Sequence, residues 1–260
     1  MLVLLSPAKS LDWAPTPLQM TQPRLGEDTA ALRAVAKSLS PHDLSALMGI
    51  SDKLAQLNHD RYQAMTGQPD LEQGRPAALA FNGDVYLGLD ARTLSDDDLA
   101  WAQDHVAILS GLYGVLRPLD AIEPYRLEMG TRLQNPRGAN LYQFWGDRVT
   151  RVLNAQLRGA DRPTVLNLAS NEYFKVVKAK ALEAEVITPV FHEEWDGKRK
   201  PVSFYAKRAR GMMARFVVEE RLTDPVAVQR FSAGGYRYRP EWSDERKWVF
   251  SRPKPPPVRG

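Results

Sequence analysis

The stretch TVLNLAS, residues 164–170, decides the fold class of this 260-residue chain. Its first six residues form an apolar run of strand length, and Ser170 is a residue type that caps the N-terminus of helices. The run LVLL at residues 2–5 has the same character and leads into a loop at Ser6-Pro7. Buried strands that pass directly into loops and helices are typical of sheets covered by helices. The two stretches therefore predict an α/β protein.

Helical and extended patterns alternate irregularly through the rest of the chain. Helices are predicted at residues 27–39, from Ser40-Pro41, from Ser51, and at 95–107, 141–157 and 207–221. Extended segments are predicted at residues 77–81, 84–87, 186–195, 198–206, 235–239 and 246–250. Asp196-Gly197 lies between two of them and is a dipeptide typical of tight antiparallel hairpins. This pattern predicts a mixed β-sheet surrounded by helices.

The middle of the chain contains no segment that looks like a linker between domains. No proline-, glycine- or serine-rich linker divides it, so we expect one compact domain over residues 1–250. Residues 251–260 contain four prolines and are predicted to form a disordered tail.

Composition excludes several classes of protein. The chain has no cysteine, which excludes disulfides, thiolate zinc sites and a thiol nucleophile within it. The N-terminal apolar run is too short for a secretory signal, and no stretch approaches the roughly 18 apolar residues of a membrane span. We therefore expect a soluble, cytoplasmic protein with no membrane partner. The four histidines are scattered along the chain, so we expect no metal site and no cofactor.

Residues 43–57, DLSALMGISDKLAQL, resemble a helix-hairpin-helix motif. Gly49 allows a tight turn, and the free backbone N–H groups that open the second helix can face a DNA phosphate beside Lys53. Ser51 stands where the motif has its second glycine, and Asp52 adds a negative charge. The alternative interpretation is an ordinary helical corner in which Ser51 is the N-cap.

Residues 198–215 carry a run of positive charge without any acidic residue. The cations are Lys198, Arg199, Lys200, Lys207, Arg208, Arg210 and Arg215. Their mutual repulsion favours a nearby anion, and nucleic acid phosphate is the commonest one. A solvated surface, or neutralisation by an acidic patch such as Glu193-Glu194, is the alternative. The predicted DNA-binding residues are Gly49, Ser51, Lys53, Lys207, Arg208, Arg210 and Arg215.

Polar residues also follow the two buried strands. Ligands in α/β folds collect beyond strand ends, so such residues can line one polar cleft. The candidate catalytic residues there are Lys9, Arg126, Glu128, Asn171 and Lys175. An enzyme that acts on a phosphate-bearing small molecule is therefore the alternative to a DNA-binding protein. No hydrolase elbow, Walker loop or kinase motif is present, so the sequence leaves catalysis open.

Seven strings in one order carry a resemblance to a known family. They are LLSPAKSLD (4–12), LMGISDKLAQLN (47–58), FNGDVYLGL (81–89), LSGLYGVLRPLDAIEPYRLEMG (109–130), LYQFWGD (141–147), NLASNEYF (167–174) and SFYAKRARGMMARF (203–216). Together they resemble the peroxide stress protein YaaA family, from Met1 to about Tyr238. The last twenty residues carry no part of the resemblance.

The resemblance implies a cytosolic protein that helps cells survive hydrogen peroxide by limiting iron-dependent damage. It also implies binding to duplex or distorted DNA through a helix-hairpin-helix and a positively charged cleft, and it assigns no catalytic activity. The implied hairpin positions are Leu47, Gly49, Ser51, Lys53 and Ala55. We place the basic side of the cleft at Lys9, Arg117, Arg126, Lys175, Lys207 and Arg210. The absence of cysteine and of clustered histidine argues against tight iron binding.

Overall fold

The computed structural model describes residues 1–66 and 68–255, and twelve strands lie in this range. The strands are β1 (Leu2–Leu5), β2 (Ser10–Leu11), β3 (Arg75–Pro76), β4 (Phe81–Asn82), β5 (Val106–Ser110), β6 (Gly114–Leu116), β7 (Ala121–Ile122), β8 (Thr164–Asn167), β9 (Glu185–Trp195), β10 (Lys198–Lys200), β11 (Arg237–Tyr238) and β12 (Lys247–Pro253).

Helices, including short 3-10 helices, fill about half of the remaining described chain. The α-helices are α1 (Gly26–Lys37), α2 (Pro41–Met48), α3 (Asp52–Ala64), α4 (Ala77–Ala80), α5 (Asp84–Leu89), α6 (Asp96–His105), α7 (Leu141–Trp145), α8 (Arg148–Leu157), α9 (Asn171–Phe174) and α10 (Ser203–Glu219). Short 3-10 helices lie at Ala91–Thr93, Pro225–Arg230, Ala233–Gly235 and Pro240–Trp242. None of the helices in the described ranges is long and apolar enough to cross a membrane.

Eight of these strands form one sheet. The sheet is mixed, as the sequence predicts. Its order is β11-β12-β9-β8-β1-β5-β6, and β10 pairs with the far end of β9. The strands β12, β9, β8, β1 and β5 run parallel, whereas β6, β10 and β11 are antiparallel to their neighbours. Every residue of β1, β5 and β8 is buried, because helices and loops cover both faces of the parallel centre. The predicted α/β class with a mixed sheet is confirmed.

The order of the strands creates a switch point between β1 and β8. From β1 the chain next enters the sheet at β5 on one side, whereas from β8 it continues to β9 on the other side. Connections that leave neighbouring strands in opposite directions open a crevice beyond their carboxyl ends, and ligands of α/β proteins bind there.

Helix α10 crosses α5 at unusually close range. A Cβ atom added to Gly211 would lie 1.8 Å from the carbonyl oxygen of Val85, and one added to Gly88 would lie 2.2 Å from that of Arg208. The two glycines therefore allow backbone to pack directly on backbone. This crossing holds the first half of α10 above the carboxyl edge of β1.

Several predicted helix boundaries are confirmed, because they depend on local caps. The side chain of Ser40 accepts a hydrogen bond from the backbone N–H of Asp43, which completes a capping box with Pro41 in the first turn of α2. The side chains of Ser95 and Ser170 cap α6 and α9 in the same way.

Three predicted segments are wrong. The strand predicted at 198–206 ends at Lys200, because Pro201 lacks the N–H that a strand needs and the following residues enter α10 at Ser203. The single helix predicted at 141–157 is split into α7 and α8 at Gly146, whose φ of 54° is left-handed. The segments 77–81 and 84–87, predicted as extended, are mainly helical in α4 and α5.

The predicted tail also begins too early. β12 continues to Pro253, and its residues 251–253 pair with residues 192–194 of β9. Residues 256–260 of the predicted disordered tail lie outside the described residues.

Candidate functional site

A cleft of about 450 Å³ opens at the switch point, beyond the carboxyl ends of β1 and β8. It is lined by the loop that follows β1, the start of α5, the segment that begins α9, Glu128, and two residues of α10. Its volume falls within the range of pockets that hold small molecules.

The floor of the cleft is a cross-link between the two strand ends. The backbone N–H of Ser170 donates to the hydroxyl of Ser6 over 2.9 Å, and the two hydroxyl oxygens are 3.4 Å apart. The hydroxyl of Tyr86 donates to the carbonyl of Ser6 over 3.0 Å. These contacts hold both serine hydroxyls at the bottom of the cleft.

One wall carries a carboxylate that lies between two cations. Lys9 Nζ is 2.9 Å from Glu128 Oε2, and Arg126 Nη2 is 3.3 Å from Glu128 Oε1. The Lys9 side chain is 61% exposed, so it lacks the desolvation that activates a nucleophilic lysine. The cluster is therefore suited to hydrogen bonding and charge recognition at the mouth of the cleft.

The opposite wall carries the two cations that α10 contributes. Lys207 and Arg210 are three residues apart, which places them on one face of the helix. Arg210 is half-buried, and burial lowers the pKa of its guanidinium group. Among the described residues neither side chain has an ion-pair or hydrogen-bond partner.

Two further carboxylates line the cleft, so its lining is mixed in charge rather than uniformly basic. Asp84 stands at the start of α5, and Glu172 Oε1 accepts the backbone N–H of Gly130 over 2.9 Å. With Glu128 they balance Lys9, Lys207 and Arg210.

The structure brings together only part of the candidate catalytic set. Lys9 and Glu128 line the cleft, and Arg126 lies directly behind Glu128. Asn171 and Lys175 are exposed outside the lining, and the Lys175 ammonium lies 5.0 Å from the centre of the Tyr142 ring.

Arg117, which the expected basic cleft includes, is engaged elsewhere. Its guanidinium group pairs with the buried Asp120 at 2.8 Å and reaches the carbonyl of Gln22. Of the cations expected on the basic side of the cleft, α10 therefore contributes Lys207 and Arg210.

The predicted DNA-binding residues fall into separate places. Gly49 ends α2 in a left-handed conformation with φ 60°, and Ser51 precedes α3 without a side-chain cap. Near the other end of α3, the Tyr62 hydroxyl donates to the carbonyl of Arg126 over 2.7 Å. About 16 Å of helix therefore separates the Gly49–Ser51 turn from this contact behind the cleft.

The two remaining arginines of α10 differ in environment. Arg208 is exposed outside the cleft lining. Arg215 donates to the carbonyl of Asp90 at 2.9 Å and to the hydroxyl of Thr93 at 2.7 Å, and it pairs with Glu219 at 2.8 Å. These contacts occupy Arg215 in anchoring α10 to the segment after α5.

Sequence reasoning missed the contribution of α5 to the site. Asp84, Val85 and Tyr86 line the cleft, although residues 84–87 have the alternation of a strand. The string FNGDVYLGL, within the family resemblance, was the available signal. Within the described ranges, no group of three or more histidine, cysteine or acidic residues is placed to hold a metal ion.

The fold and cleft define an α/β protein with a mixed sheet and a polar pocket at its switch point. The chain belongs to the peroxide stress protein YaaA family, whose profile matches residues 1–242. It is 55% identical over 257 residues to a UPF0246 protein of Roseobacter denitrificans, covering 98% of this chain and 99% of that one. It is 54% identical over 255 residues to a UPF0246 protein of Ralstonia nicotianae, covering 97% of this chain and 99% of that one. The resemblance of the seven strings is confirmed.

Proposed function

We propose that this protein acts in the peroxide stress response by binding DNA and thereby limits iron-dependent damage to it. The proposed contact is a hairpin surface, made of Trp195, Lys198, Arg199, Lys200, Trp242 and Lys254. The exposed Arg208, early in the next helix α10, extends its positive charge along the chain.

The observation that carries the proposal is the pairing of exposed cations with tryptophan rings on this surface. The Arg199 guanidinium lies 3.9 Å from the centre of the Trp242 ring. The ammonium groups of Lys200 and Lys254 lie 5.4 Å and 4.8 Å from the centre of the Trp195 ring. Cations beside aromatic faces match the two parts of nucleic acid, because the cations can move onto phosphates and free the rings to stack on bases.

Neighbouring acidic residues leave this positive charge available. Glu193 is fully buried, where it accepts the hydroxyl of Tyr236 and faces Arg252 at 3.5 Å. Glu194 pairs with Arg239 at 3.1 Å and also accepts the hydroxyl of Ser251. The acidic patch that sequence offers as an alternative partner is therefore engaged mainly by Arg239 and Arg252, although Glu194 also lies opposite Arg199 in the hairpin and attracts its charge.

A depression between the two tryptophans gives the hairpin surface room for a base. Its volume is about 470 Å³, and Trp195, Arg199 and Trp242 are among its lining residues. A single-stranded or distorted DNA segment can place an unstacked base there, whereas a regular duplex offers only phosphates. We therefore expect preference for bubbled or single-stranded DNA.

The turn between α2 and α3 is a second candidate contact. The first backbone N–H groups of α3 follow Ser51, and Lys53 is exposed in the same turn. Asp52 opposes an anion at this place, which makes the hairpin surface the stronger candidate. A Lys53→Ala variant separates the two surfaces.

Fluorescence anisotropy with duplex, bubbled and single-stranded DNA over a salt series tests the proposal. Arg199→Ala removes one phosphate contact and should lower the slope of log K against log salt by about 0.9 on duplex DNA. Trp242→Ala should weaken binding of single-stranded DNA by about 1–3 kcal/mol, because a stacking ring is lost. Strand breakage by ferrous iron and peroxide should rise in parallel with lost binding.

Lys180→Ala is the matched control, since it removes an exposed cation of equal charge outside the hairpin surface. Its slope and affinity should remain those of the wild type. Equal effects of Arg199→Ala and Lys180→Ala, or no binding at low salt, would refute the proposal.

A further inference from the structure

Arg210 is a half-buried cation that makes no direct ion pair or hydrogen bond within the described chain, although the cleft around it carries three carboxylates. Burial is the cause that lowers the pKa of its guanidinium, and no carboxylate offsets this effect. Arg215, five residues further along α10, is held by acceptors on three sides, whereas the guanidinium of Arg210 has no such partner and faces the solvent of the cleft. The position of Arg210 in the lining of the cleft therefore favours an anion in the cleft.

Groups around Arg210 suit a phosphate. Lys207 adds a second cation from the same helix face, and the hydroxyls of Ser6 and Ser170 stand at the floor of the same cleft. Phosphate oxygens accept several hydrogen bonds at once, and guanidinium groups bind them with two parallel donors.

The cleft also offers an unpaired acceptor. Asp84 is half-buried in the lining, and within the described chain it has no ion-pair or hydrogen-bond partner, Arg210 and Lys207 included. A ligand with hydrogen-bond donors satisfies this carboxylate, as base amino groups satisfy carboxylates in nucleic acid recognition. Val85 and Leu168 supply apolar lining between the polar groups, where a flat ring can pack.

We propose that the cleft at the switch point binds one nucleoside monophosphate unit, with its phosphate on Arg210 and Lys207 and donor groups of its base on Asp84. A volume of about 450 Å³ is too small for duplex DNA but suits a molecule of this size. The unit is either a free nucleotide or a single unpaired nucleotide of a DNA strand. Because the hairpin surface uses different residues, this site does not depend on the DNA contact proposed above.

Isothermal titration calorimetry on the full chain tests the site with AMP, GMP, CMP and UMP, and with ribose 5-phosphate and inorganic phosphate as smaller probes. At least one nucleotide should bind at one site per chain and about tenfold more tightly than ribose 5-phosphate, since only the nucleotide reaches Asp84. Arg210→Met and Asp84→Asn should each lower the affinity for that nucleotide by about tenfold or more.

Arg158→Met is the matched control, because it removes the same charge from an exposed position outside both the cleft lining and the hairpin surface. Its affinity should stay within about twofold of the wild type. Arg210→Lys keeps the charge, so it serves as the second variant if the methionine variant does not fold, and it should weaken binding less than Asp84→Asn.

A second arm distinguishes the two sources of the ligand. A duplex with one unpaired nucleotide is compared with a fully paired duplex, in the wild type and in Arg210→Met. Tight binding of a free nucleotide would show that the ligand is a free metabolite. If instead only the duplex with the unpaired nucleotide binds more tightly than the paired duplex, and this preference needs Arg210, the ligand is a nucleotide within DNA. Two results overturn the proposal: no Arg210-dependent binding in either arm, or ribose 5-phosphate or inorganic phosphate binding as tightly as the nucleotides.

Discussion

Replacing Gly211 by alanine tests the close crossing of α5 and α10 on which the cleft depends. The added Cβ would lie 1.8 Å from the carbonyl oxygen of Val85, where ordinary contact begins at 3.4 Å. The two helices must therefore separate locally by about 1.6 Å, and the obstacle is backbone that cannot rotate away. Overpacking of this kind costs typically 1–3 kcal/mol, and the rigid obstacle places Gly211→Ala near about 3 kcal/mol.

A loss of that size is measurable by thermal unfolding. For a chain of this length, about 3 kcal/mol corresponds to a Tm lower by about 6–12 °C. Gly26→Ala is the control, because a Cβ at Gly26 meets nothing within 4 Å and should change stability by less than about 0.5 kcal/mol. The displacement of α10 should also weaken nucleotide binding, since Arg210 moves with it. A Tm for Gly211→Ala equal to that of Gly26→Ala would refute the reasoning about this crossing.

Two further predictions concern Asp120, which is fully buried, and His192, which is half-buried. Asp120→Ala removes a fully buried carboxylate that accepts hydrogen bonds from Arg117 at 2.8 Å and Thr21 at 2.6 Å. Urea unfolding should therefore show a free energy of unfolding lower by about 3 kcal/mol. The control Asp97→Ala, at an exposed position, should lower it by no more than about 1 kcal/mol, and equal losses would contradict this account. Burial, helped by the charges of Arg199 and Lys247, lowers the pKa of His192 from its ordinary 6.5. As pH falls below 6.5 the unfolded chain takes up a proton that the folded chain refuses, so stability is lost until the pH passes the folded pKa. His192→Gln should flatten this part of the stability profile, and an unchanged slope would show that another group causes it.

Sequence reasoning succeeded for features that neighbouring residues determine. The capping box of Ser40 and Asp43 needs residues three apart, and the turn at Asp196-Gly197 needs only its own backbone preferences, with left-handed φ values of 49° and 68°. It failed for α5, because alternating apolar residues suit either a strand or a short buried helix. The choice there was made by contact with α10 through Gly88 and Gly211, which lie far apart in sequence.

The sequence predicted the types of residue in the candidate site but not which of the candidate residues line the cleft. Lys9 and Glu128 were candidates because polar residues follow strand ends, and they do line the cleft. Asn171 and Lys175 satisfy the same rule, yet Asn171 opens the short helix α9, Lys175 follows it, and both are exposed outside the lining. Sequence position places a residue near a strand end, whereas the turn that follows decides where its side chain points.

The sequence by itself determined the α/β class, the buried parallel strands, the helix caps and the concentration of cations in residues 198–215. Each of these depends on residue type and on spacing of a few positions. Only the tertiary structure decided which cations are free. Arg215 pairs with Glu219 and donates to the carbonyl of Asp90 and the hydroxyl of Thr93, whereas Arg210 enters the cleft without a partner. Likewise Ser6 and Ser170 are 164 positions apart and meet because β1 and β8 are neighbours in the sheet. Burial and charge pairing are properties of residues brought together across the fold, so no local pattern contains them.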